Sequence, residues 1–422
     1  MLQNKFSRLG LALTVSATLG LVNSNSATAA SFKQYQAIDL GTLNNSPTVT
    51  GAAINDVSQI VGRYNSASIN GFNTGFIWEN GVMTGLPLTG FKVGGPNDGA
   101  TVTMPGRGGL SRSINNSGKI VGAGDELPGS TDRGLLWAPD ATDGYDLTIY
   151  EFGGVESYFV DINNKDQIAG SHIYAPGKRD AIHWENGHRT YLPSLGGDLN
   201  LGVAINDSGK IVGYLDTDGA DNGTNTYSGA LWEKDANGNY ILTNLGTNGA
   251  TQSFAREINS VGQVVGQLVN GTGSTATTSP FLWQNNAFTL LGSLGGTKGD
   301  VANINKEGQV VGYSTNTSNQ ELAFIWHDGA IADLNTLLTN NLLVDGANVV
   351  LNRATGINNK GDIVAYGNYS YTDAQGLTKT GTRTYLLKSV PEGNTTVGLL
   401  AFGAVGVAYQ LKRKGQKVTK VK

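Results

Sequence analysis

Apolar and polar positions along this chain follow one pattern seven times: Ile-Asn, a short polar turn, an apolar pair and usually Gly. The copies run from Ile54-Asn55 to Gly62, Ile114-Asn115 to Gly122, Ile162-Asn163 to Gly170 and Ile205-Asn206 to Gly213. The other three are Ile258-Asn259 to Gly266, Ile304-Asn305 to Gly312 and Ile357-Asn358 to Ala365. Between Asn55 and Asn358 the six intervals average about 50 residues, the length of one propeller blade of the Kelch kind. Within a copy, as in Ile205-Asn206-Asp207-Ser208-Gly209-Lys210-Ile211-Val212, an Asn opens the turn and Gly209 can take positive φ. That chemistry predicts a hairpin joining two strands, a and b. Ser58 and Asp166 stand where copies one and three need the turn Gly, so those two hairpins are expected to be less regular.

A second pattern interleaves with the first and contains every tryptophan. Trp78, Trp137, Trp184, Trp232, Trp283 and Trp326 each follow an aliphatic or aromatic pair, as in Phe76-Ile77-Trp78, and Tyr385-Leu386-Leu387 takes that place in the seventh copy. This predicts a strand c ending at the Trp. Asn80-Gly81, Asn186-Gly187 and Asp328-Gly329 then mark a tight turn into a strand d, which carries runs such as Leu291-Gly292-Ser293-Leu294. Six tryptophans at one repeat position point to packing between blades, not to six separate functions.

Four strands in each of seven units predict an all-β, seven-bladed β-propeller over residues 31–390. The segment Gln36 to Leu43 reads as a strand d and precedes the first Ile-Asn, whereas copy seven has a strand c at Arg383 to Lys388 and no strand d after it. Pairing these two orphans would close the ring and remove an open edge. An open β solenoid is the alternative. The longest interval, Asn55 to Asn115, holds an insertion around Pro87 to Gly109 that is expected to protrude as a loop.

Composition agrees with short strands and tight turns: 60 of the 422 residues are glycine and few are charged. There is no cysteine, which excludes disulfides, thiol nucleophiles and Cys-ligated metals. Residues 1–30 read as a secretory signal peptide, with Lys5 and Arg8, an apolar stretch from Leu9 to Val22, and Ala27-Thr28-Ala29. Two of the chain's basic residues lie in that segment, and six basic and one acidic lie from Pro391 onward. The body keeps 21 basic and 32 acidic residues, a net −11 that repels phosphate backbones, so no nucleic-acid partner is expected.

Three motifs carry a family resemblance: Ile-Asn-x-x-Gly-x-Ile/Val-Val-Gly, Phe-Ile/Leu-Trp-Glu-Asn-Gly and Leu-Gly-Ser-Leu-Gly-Gly. Together, from about Tyr35 to Val390, they resemble the bacterial extracellular HAF repeat family. The His-Ala-Phe triplet is nowhere complete; Ala323-Phe324 keeps two of its three residues. The resemblance implies fold and location, not activity. At the other end, Pro391-Glu392-Gly393, a mostly apolar stretch from Val397 to Leu411 read as a helix, and Lys412-Arg413-Lys414 resemble the PEP-CTERM sorting signal. In that family an exosortase reads the signal, so residues 391–422 are expected to be a sorting or anchor segment and the chain's only membrane contact. A plain C-terminal anchor is the alternative.

Candidate chemistry is sparse. The four histidines, His172, His183, His188 and His327, have no metal-binding spacing, and His183 takes a strand-c position that is aliphatic in every other copy. Asp216, Asp218 and Asp221 put three carboxylates in one loop between strands b and c, oxygen ligands of the kind Ca²⁺ takes. No other cofactor is implied. No nucleophile elbow, P-loop or dinucleotide fingerprint occurs, but the spacing of a glycosidase carboxylate pair is a property of the fold. The expected function is an exported, cell-surface, non-catalytic propeller that binds glycan or protein through its loops. The alternative is a hydrolase or lyase acting on extracellular polysaccharide.

Overall fold

The computed structural model describes residues 32–390 except 67–71, 95–97, 105–108, 126–131, 154–155 and 219–225. Seven antiparallel sheets stand in a ring, and the chain is a seven-bladed β-propeller. Blade four shows the plan, from the axis outward: strand a Asn200–Ile205, strand b Ile211–Asp216, strand c Tyr227–Lys234 and strand d Tyr240–Gly246. Strands a touch one another around the whole ring. Because a and c run the same way, all a–b and c–d turns lie on one face, and the b–c loops and d–a links lie on the other. The Leu-Gly run predicted in strand d of blade five lies just after it, since that strand is Ala287–Leu290.

The seven repeat asparagines form a closed circuit. Each sends its Nδ2 to the backbone oxygen of the next: Asn55 to Asn115, then Asn163, Asn206, Asn259, Asn305, Asn358 and back to Asn55, at 2.9 to 3.2 Å. The Oδ1 of each stays at home. In Asn206 it accepts from the backbone N–H of Ser208 and Lys210, both at 3.1 Å, which shapes the turn. All seven are buried, so losing one would strand polar groups away from water at about 1–3 kcal/mol each.

Every strand a carries a β-bulge two to four residues before its Asn, as between Gly202 and Ala204 in blade four. The bulge turns a backbone oxygen onto the glycine of strand b. A Cβ on Gly213 would stand 1.9 Å from the oxygen of Leu201, and the other five copies with this Gly are similarly closed. Copy seven tolerates Ala365 because its strand a has a second bulge, between Leu351 and Arg353, which moves the close approach to Gly367.

Seven apolar clusters fill the seven gaps between blades. The tryptophans sit in them as predicted. Trp78 packs with Val364 and Leu386 of blade seven, Trp232 with Ala169 and Ala181 of blade three, Trp326 with Val265 of blade five. Trp137, Trp184 and Trp283 do the same against blades one, two and four. Trp137 and Trp232 are fully buried, with Nε1 donating to the oxygens of Pro87 (2.9 Å) and Pro193 (2.7 Å). Register puts Leu387 at the Trp position of blade seven, opposite Ile363.

The ring closes as the strand order required. The first strand, Tyr35–Asp39, pairs antiparallel with the last, Thr378–Ser389, from Tyr35 opposite Ser389 to Asp39 opposite Tyr385. It becomes the outer strand of blade seven, and the solenoid alternative falls.

Two expectations need correction. The insertion after Pro87 is not a protruding loop: Thr89–Val93 pairs with Thr101–Thr103 and runs parallel to Tyr145–Tyr150, extending blade two to six strands. Its alternation turns Lys92 inward to Glu151 (3.5 Å), and Met104 is wholly buried. Nor are the Ser58 and Asp166 hairpins irregular. Their φ values of 66° and 62° match the 77° to 85° of the glycine copies, and the same turn bonds form. Each side chain compensates for its backbone conformation by bonding the preceding blade. Ser58 Oγ donates to Asp362 (2.9 Å), and Asp166 accepts from Asn115 (2.9 Å) and pairs with Lys119 (2.8 Å).

Two stability outcomes follow. Gly213→Ala forces strand b off the bulge and should cost about 1–3 kcal/mol by urea unfolding; a change of a few tenths would refute the close-approach argument. Deleting Gln36 to Leu43 should lower the melting temperature of the whole ring in one transition, since it opens blade seven and bares an edge. An unchanged melting temperature would show that closure contributes nothing.

Candidate functional site at the mouth of the central channel

Strands a line a channel along the axis, and its two ends differ in kind. On the turn face the Ile-Asn pairs of all seven blades surround a shallow depression of about 170 Å³. Side chains that repeat seven times make this end nearly symmetric. On the loop face, residues two to five positions before each Asn, with Arg63 and Tyr366, surround a cavity of about 410 Å³, and these positions vary from blade to blade. Arg112 and Arg256 stand where other blades have Ala52, Val160, Val203, Ala302 and Thr355. One position nearer the Asn, Ser113, Asp161, Glu257 and Asn303 replace Ala53, Ala204 and Gly356. An adjoining cavity of about 370 Å³ shares Arg112 and Arg256 and adds Tyr158, Arg179 and Tyr214.

Asp161 and Glu257 are the carboxylates of this channel. Asp161 accepts from Ser113 Oγ of blade two (2.5 Å) and the Ile205 N–H of blade four (2.8 Å), tying three blades together. Burial pushes its carboxyl up to about 6, against the pull of those donors. Glu257 accepts from the Ile258 N–H (3.0 Å) and Asn303 Nδ2 of blade six (3.3 Å). Burial first, then the charge of Asp161, hold its carboxyl well above the usual range. Both carboxyls are thus harder to ionise here than in water.

Aromatic rings and guanidinium groups crowd the rim above them. Tyr214 meets Phe254 edge to face at 4.9 Å, and Arg256 lies 5.4 Å from the Phe254 centroid. Arg353 lies 4.0 Å over the Tyr313 ring while held by Glu321 at 2.9 and 2.8 Å.

None of the sequence candidates lies here. The repeat asparagines and tryptophans are structural, on the turn face and between blades. His183, at its otherwise aliphatic strand-c position, is buried against the edge of Tyr240 with Nε2 unpartnered. His172 is buried between the Gly153 oxygen (2.7 Å) and Tyr191 (3.1 Å). His188 is exposed beside His183 on a cavity of about 440 Å³ at the rim of blades three and four, and His327 meets the Glu307 oxygen at 3.2 Å. Asp216 accepts weakly from the Asp218 N–H (3.3 Å); Asp221 lies outside the described residues. Among the described residues no group of three His or carboxylate side chains is placed to hold a metal. The signal-like residues 1–30, the sorting motif Pro391, Glu392 and Gly393 and the apolar stretch 397–411 also lie outside the described residues, as do parts of the b–c loops of blades one, two and four.

A ring with one end closed by its own repeat and the other lined by unlike side chains defines a propeller with a single asymmetric channel mouth. The chain belongs to the family described as protein of unknown function (DUF3466), whose model matches residues 199–420, over half the sequence and from blade four onward. No curated protein matches. Similar solved structures include TolB from Acinetobacter baumannii, at 12% identity over 65% of each chain and a TM-score of 0.36; this chain thus spans under two thirds of TolB. An AofleA mutant from Arthrobotrys oligospora is 10% identical over 88% of this chain and 93% of its own, TM-score 0.34. A gluconolactonase from Xanthomonas campestris is 11% identical over 82% and 99%, TM-score 0.37.

The unpartnered histidine gives a pH signature. Burial, then the charge of Lys234, holds His183 down at about 4, whereas unfolded it titrates near 6.5. Between those values the unfolded chain binds a proton that the folded chain refuses, so this group removes stability as pH falls through that window. Relative to His183→Leu, the wild type should lose melting temperature from about pH 7 to about pH 5. Parallel curves for the two proteins would contradict the assignment.

Proposed function

We propose that this protein is an exported, cell-surface propeller that binds a glycan or protein ligand at the loop-face mouth of its channel without transforming it. The observation that carries this reading is the contrast between the two ends. The turn face is closed by an identical residue from every blade, whereas the mouth collects arginines, tyrosines and a phenylalanine at positions whose residue varies from blade to blade. Aromatic faces and guanidinium forks are the groups that recognise saccharides and anions. The HAF-like motifs support an extracellular place. The signal-like residues 1–30 and the PEP-CTERM-like residues 391–422 support export followed by processing through an exosortase-like enzyme.

A second reading, cleavage of an extracellular polysaccharide, draws on Asp161 and Glu257 in one cavity. The bonds they make favour binding instead: each of the four carboxylate oxygens accepts from neighbouring backbone or a neighbouring blade, the arrangement of clamps between blades.

Presenting the full chain, in mild detergent, to an array of bacterial surface glycans should give retention without release of reducing ends. Reducing ends released by the wild type but not by Glu257→Gln would replace this reading with the hydrolytic one. Mass spectrometry of the protein from its native host should find a start near Ser31 and an end near Pro391 to Gly393. An intact tail through Lys422 would favour a plain anchor over sorting.

A further inference from the structure

The guanidinium groups at the mouth are unequally satisfied by the fold. Arg353 is engaged by Glu321, and Arg256 meets Asp300 at 3.2 Å and Gln267 at 3.4 Å, although its Nε is buried and bare. Arg179 also buries a bare Nε, with its guanidinium 5.3 Å from the Tyr158 centroid. Arg63 and Arg112, which line the channel, make no hydrogen bond or ion pair with a described residue. Burial lowers the pKa of Arg112, the charges of Arg63 and Arg179 lower it further, and Tyr158 and Asp132 oppose them. Three guanidinium groups thus act on one another across blades one, two and three. The body around them is acidic, at a net −11. Mutual repulsion of this kind works against folding, and a bound anion would offset it.

We propose that the mouth is a binding site for an acidic saccharide, whose carboxylate or sulfate is held by Arg63, Arg112 and Arg179 while Tyr158 and Tyr214 flank the sugar. The inference rests on the reading of the mouth as the ligand site and adds the ligand's charge. The cavities of about 410 and 370 Å³ that meet here are far larger than a lone oxyanion needs, and their aromatic walls suit sugar faces. The acidic body disfavours a densely charged polymer, so a short acidic segment or chain end fits best.

The test uses the full chain and calorimetry with four probes of equal length: an oligogalacturonate, its methyl ester, a sulfated oligosaccharide and its unsulfated parent. An acidic probe should bind at least about tenfold more tightly than its neutral counterpart, and Arg63→Gln or Arg112→Gln should remove about tenfold. Lys306→Gln, on the turn face, should change nothing. Preference for one acidic probe would identify the anion as carboxylate or sulfate. Arg112→Gln should also raise the melting temperature at low salt, a readout that needs no ligand. Failure of both acidic probes to bind, or affinities indifferent to the two arginines, would overturn the proposal. A neutral glycan or protein retained regardless of these variants would overturn it while leaving the ligand-binding reading in place.

Discussion

The circuit of seven asparagines is the constraint from which the remaining geometry follows. Each Nδ2 is bound to the next blade and each Oδ1 to its own turn, so one residue type sets both the shape of every hairpin and the spacing between blades. Neither half suffices alone: a turn without the cross-blade bond leaves the ring free to open, and the cross-blade bond without the turn has no fixed donor. Any bond in the circuit contributes about 1 kcal/mol net, but a vacancy exposes buried partners on both sides. This explains how Ser58 and Asp166 are held at positive φ. The ring determines the backbone there, and Asp362, Lys119 and Asn115 supply bonds to side chains that a glycine could not offer.

Closure and packing act outward from that circuit. The bulge before each Asn brings strand a so near strand b that a glycine is needed, and blade seven escapes only by bulging twice. Farther out, one tryptophan or leucine per blade fills the gap to the preceding blade. At the periphery the N-terminal strand completes blade seven, so the two ends of the ring share one sheet. The molecule is thereby stabilised by bonds at the axis, apolar contact at mid-radius and strand pairing at the rim.

The two faces inherit different consequences. Repetition makes the turn face uniform. Toward the loop face the strand-a positions escape the circuit, and the chain places charge there instead: Asp161 and Glu257 within the channel, arginines and aromatic rings above them. The carboxylates serve as clamps between blades, while Arg63 and Arg112 line the cavity without a hydrogen bond or ion pair to a described residue.

The repeat period, the four strands of each unit, the interblade role of the tryptophans and the closing strand were legible in the sequence because all depend on local periodicity or on strand order. Asn206 and Trp232 announce their roles by recurring. Arg63, Arg112, Arg179, Asp161 and Glu257 follow no seven-fold pattern. Aligning the copies would have marked Arg112 and Arg256 against Ala and Val, but not that they face one cavity, because only ring closure brings separated blades to a common axis. The insertion was misjudged for a similar reason: the parallel partner of Thr89–Val93 lies 57 residues farther along the chain, as Gly90 opposite Leu147, and local turn signals say nothing of such pairing. The sequence by itself determined how each blade is built and how many there are. Which unlike side chains share the mouth was decided by the tertiary structure alone, since proximity across a ring arises from closing it and leaves no spacing along the chain.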